Sequence, residues 1–219
     1  MRYGERMISN GADQSGGDAL PPTRLGVAIT GHRAGNSAND ANRLAIEATL
    51  GRIVDTITEV LARQQEVTAP ARLHSLLANG ADLLAVEHAL ERGWEIVAPL
   101  PFGFVLNTAI NAHPGTAEDA VALLEGRPCS DPRAAEFAAR AHALARQAKR
   151  FELAECEVQV RTLHVRTLRR PDDGFAAREF VDIASECAAM AGKVMIEQSD
   201  AVVAIWDGVT PVPSVAPAT

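Results

Sequence analysis

Three short stretches carry residue types that can hold a ligand. The first is Thr30-Gly31-His32-Arg33, which follows the apolar run Leu25 to Ile29. A glycine lets backbone approach a bound group closely, and the amides that open a following helix attract anions. Arg33 can grip a phosphate or carboxylate with two parallel hydrogen bonds, and His32 can donate to the same group. The second stretch is Asn79-Gly80-Ala81-Asp82. Asp82 there either caps its own helix or accepts hydroxyls from a ribose, and capping is the cheaper use. The third is Trp206-Asp207-Gly208, where Asp207 is a hydroxyl or base acceptor or, equally simply, part of a strand-ending turn.

These stretches need a frame that brings them together. Val27 and Ile29 centre a short buried strand that breaks at Gly31, and a long amphipathic helix follows over about 40–64. Leu73 to Leu77 reads as a second strand, leading into a helix that ends at Gly93. Trp94 to Ala98 is a third strand, stopped by Pro99 and Pro101. Strand, helix and strand in succession with short joints imply right-handed crossovers and a parallel sheet. Its carboxyl edge is where such sheets bind ligands.

Beyond Phe102 the pattern is less regular. Phe104 to Ile110 forms a short helix or lid, Thr116 caps a helix over 117–124, and Pro132 opens a firmer helix running to about Ala148. The alternation of Val158, Val160 and Leu163 reads as a fourth strand over 155–163. Arg161, His164, Arg166, Arg169 and Arg170 crowd ahead of Pro171; such a cluster can attract an anionic ligand or partner, but a solvated strand edge, which also discourages aggregation, is the commoner use. A helix follows from Asp172 or Asp173 to about Gln198. Gly192 inside it costs roughly 1 kcal/mol relative to alanine, tolerable if the helix passes close to another element. Ala201 to Trp206 is the last strand. The fold class is therefore α/β: a three-layer Rossmann-like domain whose mainly parallel sheet has about five strands, with helices on both faces. Residues 1–22 read as a disordered leader, 23–208 as the domain, and 209–219 as an irregular Pro, Ala and Val tail.

The 219 residues carry 47% hydrophobic and 22% charged side chains, enough for one domain with a sizeable core. A net charge of −7 makes nucleic acid an improbable general partner. No apolar stretch approaches the ~20 residues of a membrane span, so no membrane association is expected. Cys129, Cys156 and Cys187 lack any paired spacing and suit a reducing cytoplasm. His74, His88, His113 and His142 stand singly, so no metal site is assigned. Nor does any carboxylate pair with a nucleophile, and no catalytic residue is assigned.

Ile29-Thr-Gly-His-Arg33, Asn79-Gly-Ala-Asp82, Pro99-Leu-Pro-Phe102 and Ser199-Asp-Ala-Val-Val-Ala-Ile-Trp-Asp-Gly208 occur in the order found in the SLOG superfamily, the Rossmann-like group that includes DprA, LOG and YpsA-like proteins. The chain resembles that group over residues 24–208. The resemblance implies a nucleotide or nucleotide-derived ligand. Thr30, Gly31, His32 and Arg33 would hold a phosphate, Asn79, Gly80, Ala81 and Asp82 would face ribose or phosphate, and Asp207 and Gly208 would contact a hydroxyl or base. The hydrolase branch of the group carries a Pro-Gly-Gly-x-Gly-Thr motif that this sequence lacks. Relatives also continue from Trp-Asp-Gly to a glycine-rich turn and a further helix, where residues 209–219 stand here. A pocket open on one side, or completed by a homo-oligomer or partner domain, is the corresponding expectation. The reading is a non-catalytic nucleotide-binding sensor or regulatory domain with no other cofactor. An N-glycosidase or ribosyltransferase and a ligand-free interaction domain are the alternatives.

Overall fold

In the computed structural model the described residues are 23–31, 40–64, 69–153 and 156–206. They form five strands and seven helices in the order β1 (Gly26–Gly31), α1 (Arg43–Ala62), β2 (Arg72–His74), α2 (Ala81–Glu91), β3 (Glu95–Leu100), α3 (Phe104–Asn111), α4 (Ala117–Leu124), α5 (Pro132–Ala145), β4 (Ala148–Glu152), α6 (Glu157–Arg169), α7 (Gly174–Glu197) and β5 (Ala201–Ile205). The expected leader 1–22 and tail 209–219 lie outside the described residues.

The strands lie in the order β4-β3-β2-β1-β5, every neighbour parallel. Alternate side chains of a strand face opposite ways, so each face has its own packing. Val27, Ile29, Leu73, Ile96, Ala98 and Leu100 share one core with Leu50 and Val54 of α1, Leu83 and Val86 of α2, and Phe137 and Leu144 of α5. The residues between them, Ala28, His74 and Val97, are in register and buried on the other face. There α7 packs against β3 and buries Ala191 and Met195. A chain that reaches β4 at one edge and returns to β5 at the other needs this long crossing helix, and right-handed connection puts it opposite α1, α2 and α5. A second core of Phe102, Leu106, Ile110, Leu124 and Val160 joins α3, α4 and α6, with Phe180, Ile183 and Cys187 of α7 packed on it.

Charge closes the amino end of the sheet. Glu95, at the start of β3, takes Arg72 from β2 at 3.3 Å, Lys149 from β4 at 2.7 Å, and Arg24 from the segment before β1. The start of β1 is tied to the turn before β5: Gly26 N donates to Asp200 Oδ2 at 2.7 Å and Asp200 N to Gly26 O at 2.8 Å.

Several elements differ from the sequence reading. The strand expected over 155–163 is helix α6. Val160, Leu163 and His164 are its buried residues, at helical spacing, while Val158 is 81% exposed. The Val158 and Val160 alternation was therefore a coincidence of two opposite helix faces. The true fourth strand, Ala148-Lys-Arg-Phe-Glu152, is an exposed edge strand whose charges hide it from any hydrophobic pattern. It also cuts α5 back to Ala145. The arginines from 161 to 169 accordingly sit on a helix, not on a strand edge. β2 is shorter than expected, because Ser75 to Leu77 leave the sheet to build a loop.

Gly192 also departs from expectation. A methyl group built there meets nothing within 4 Å, so no close approach requires glycine. Gly192→Ala should therefore stabilise the chain by roughly 1 kcal/mol through helix propensity and reduced unfolded-state freedom. A urea midpoint at or below that of the parent chain would contradict this.

Candidate functional site

The strand order reverses at β1. From there the chain moves outward through β2, β3 and β4, then returns to lay β5 on the other side. In open parallel sheets the crevice outside the carboxyl ends opens at such a reversal. Thr30 and Gly31 end β1 at this point, both exposed.

Gly31 is the junction of three segments. A Cβ placed on it would lie 2.9 Å from Ala81 Cβ, 2.9 Å from Ile205 Cβ and 3.0 Å from Ile205 O. The end of β1, the first residue of α2 and the end of β5 thus meet backbone to side chain, with no room for a methyl group. This closeness, and not an unusual backbone angle, is what demands glycine. Gly31, Ala81 and Ile205, the residue preceding Trp206, lie together at this edge. Trp206 itself follows β5 and is 58% exposed. His32, Arg33, Asp207 and Gly208 lie outside the described residues.

The loop from Ser75 to Gly80 forms the adjoining wall. It contains two left-handed residues, Leu77 at φ 54° and Gly80 at φ 118°. Gly80, with ψ −128°, occupies a region essentially closed to residues with a Cβ. Leu77 has no such excuse, so surrounding bonds must impose its conformation. Asp82 supplies them. It is buried, and its Oδ2 accepts from Leu76 N at 3.0 Å and from the Ser75 hydroxyl at 3.1 Å. Ser75 Oγ in turn accepts from Leu77 N at 3.1 Å. Asp82 therefore bonds back to the loop before α2, whose N-cap position is Gly80, with no side-chain cap.

Two asparagines that sequence reading passed over complete the support. Asn107 Nδ2 donates to Leu76 O at 3.2 Å, Asn79 Nδ2 donates to Asn111 O at 3.4 Å, and Asn111 Nδ2 donates to Asn107 O at 2.8 Å. Asn107 and Asn111 are both buried on α3. The sequence shows only that two asparagines stand four residues apart on one face of a mostly apolar eight-residue helix, which marks a polar face but not the loop it reaches. Asn79 is thereby tied into the wall through its side chain.

The segment Pro99 to Phe102 serves differently. Phe102 is buried in the second core. At the start of α3, Gly103 N donates to Glu157 Oε2 at 3.0 Å and Phe104 N to Glu152 Oε1 at 2.9 Å. Two carboxylates already occupy that helix end, which leaves no anion site on it. By contrast, among the described residues no side chain caps α2, which opens beside Gly31.

No protein-family model, curated protein or solved structure matches this chain. Its function must be argued from its own geometry.

The perturbed groups elsewhere are structural. Asp119 is held well below the usual carboxylate range, first by the Ser130 hydroxyl, then by Ser130 N and the Thr116 hydroxyl. These bonds, at 2.7, 2.6 and 2.9 Å, fasten the turn before α5 to the start of α4. Burial pushes the Cys129 thiol up, which makes it a poor nucleophile. All three cysteines are free. Among the described residues no group of three or more His, Cys, Asp or Glu could hold a metal ion. No helix among them is long and apolar enough to cross a membrane.

Proposed function

We propose that the β1–β5 end of the sheet is a binding site for a phosphorylated, nucleotide-like small molecule, and that the domain senses this ligand without transforming it. The observation that carries the reading is the contact of Gly31 with Ala81 and Ile205, at the point where strand order reverses. It brings the end of β1, the start of α2 and the end of β5 to one edge. Gly31 and the start of α2 offer bare backbone to an anion. His32 and Arg33 follow Gly31 directly in sequence and would supply the charge, while Asp207 and Gly208 follow β5 and would meet a hydroxyl or base.

The non-catalytic reading rests on Asp82. Attack at an anomeric carbon, or stabilisation of the cation formed there, needs a carboxylate free to reach it. Asp82 spends its Oδ2 on Leu76 and Ser75 and is a positioning residue. Three free cysteines accord with a cytoplasmic setting.

A thermal-shift panel of nucleoside monophosphates, cyclic nucleotides and dinucleotides tests the reading. A ligand at about 100 times its dissociation constant should stabilise the fold by about 2.7 kcal/mol. Arg33→Ala should abolish the shift with phosphorylated ligands and leave unliganded stability unchanged. Absence of any shift across the panel would overturn the ligand reading, and release of free base from a monophosphate would overturn the non-catalytic one.

A further inference from the structure

Helix α6 has two working faces. Val160, Leu163 and His164 point inward and are buried. On the outside, Val158, Arg161, Thr162, Val165, Arg166 and Arg169 recur at spacings of three and four, one stripe along a helix about 20 Å long. Two open grooves border it. The larger, about 780 Å³, is lined by Val158, Arg161, Val165, Arg166, Arg169 and Arg170 among others. The smaller, about 420 Å³, shares Val158 and Thr162 and reaches Glu179 of α7.

Among the described residues the charges on this stripe are only partly used. Arg166 pairs with Asp173, at 2.7 and 3.0 Å. Arg161 and Arg169 form no ion pair among the described residues. Arg161, Arg166 and Arg169 therefore concentrate on one face of a chain whose net charge is −7. Between them sit Val158, 81% exposed, and the half-buried Val165. Val158 and, seven residues on, Val165, which also packs on the second core, line the groove on either side of Thr162, and with the cations beside them they match one half of a two-helix contact.

We infer that the outer face of α6 docks an acidic amphipathic helix of another protein. The partner's apolar residues would seat on Val158, Thr162 and Val165, and its carboxylates would pair with Arg161, Arg166 and Arg169. A second copy of this chain does not fit, because a two-fold contact through α6 would set arginine against arginine. Nucleic acid fits less well. The chain is acidic as a whole, and the stripe holds no aromatic side chain on which a base could stack.

The test is fluorescence anisotropy with a labelled synthetic peptide, helical, with leucine at the seam positions and glutamate flanking them. A scrambled peptide of the same composition and a single-stranded oligonucleotide of similar charge serve as comparisons. Micromolar binding of the patterned peptide is expected, weakening steeply as salt is raised. The double variant Arg161→Glu, Arg169→Glu should lose at least about tenfold in affinity, as a change of this kind at a charged contact does. Arg133→Glu, an exposed change on α5, should leave binding unaltered, and circular dichroism of each variant checks that the fold is intact. No binding of the patterned peptide, equal binding of the scrambled one, or tighter binding of the oligonucleotide would each overturn the inference. A correctly folded Val158→Lys variant that still binds the patterned peptide as well as the parent would do so too.

Discussion

Lowering the pH from 7 to 4 should cost the folded chain about 3 kcal/mol through His164 alone. Burial first, and then the charge of His113, lower this imidazole from an ordinary 6.5 to about 4. It lies under α7, stacked on Phe180 with ring centroids 5.4 Å apart, and its Nε2 is buried without a hydrogen-bond partner among the described residues. The folded state therefore keeps His164 neutral while the unfolded chain begins to take up a proton near pH 6.5. Stability from this source is complete above pH 6.5 and falls as pH drops toward 4, by about 2 kcal/mol at pH 5. His74 acts in the same direction. It sits in the central strand β2 with both ring nitrogens buried and without a hydrogen-bond partner among the described residues. Burial chiefly lowers its pKa, assisted by Arg72 and opposed by Asp200. Urea denaturation at pH 7 and pH 5 reads the effect, and His164→Phe, which keeps an aromatic ring against Phe180, should remove most of the difference at that site. An unchanged pH dependence in this variant would show that other groups govern acid unfolding.

Gly31→Ala should destabilise the fold by about 2 kcal/mol, and Gly31→Val by more. An added methyl group is forced against Ala81 Cβ, Ile205 Cβ and the Ile205 carbonyl, two of these at 2.9 Å and one of them backbone. Relief needs β5 or the start of α2 to move, and overpacking of this kind costs 1–3 kcal/mol. The same displacement would spread the crevice, so nucleotide binding should fall more than stability does. Measuring both separates the two effects. Gly192→Ala, in open space on α7, is the matching control, because the same chemical change there is expected to stabilise. Gly31→Ala with the parent's denaturation midpoint would mean that the three segments do not meet as described.

The contrast between those glycines shows what a sequence can and cannot convey. Gly31 was legible because its neighbours in sequence, a buried apolar run and a following helix, identify a strand end. Gly192 was not, because whether a helix passes near another element depends on contacts across many residues. The starts of the helices with strong caps were readable to within a residue or two: Thr116 accepts from Asp119 N, Asp131 from Arg133 N, and Asp173 from Ala176 N. The strand β4 was not, since an edge strand that faces solvent can be built of Lys149, Arg150 and Glu152, which carry no apolar period. Its loss made the next segment look like a strand, when Val160, Leu163 and His164 already had helical spacing.

In the candidate site, the residue types marked the strand end and the helix start that meet at Gly31, but not the role of each side chain. Asp82 is spent on Ser75 and Leu76 because a loop holding Leu77 at φ 54° needs an acceptor to fasten it. That need arises only from the three-dimensional path of the loop. Asn107 and Asn111 reach the same loop from a helix some thirty residues away in sequence, a distance that no local pattern spans.

The central claim is that one ligand bridges the ends of β1 and β5 and the start of α2. It is tested most directly by recording the backbone amide resonances during titration with a nucleoside monophosphate or cyclic nucleotide that gives a thermal shift. The account predicts that Gly31, Gly80, Ala81 and Ile205 shift together with a single dissociation constant, and that resonances of α6 stay still. Shifts confined to α6, or a set that leaves Gly31 and Ala81 unmoved while the ligand binds, would contradict it.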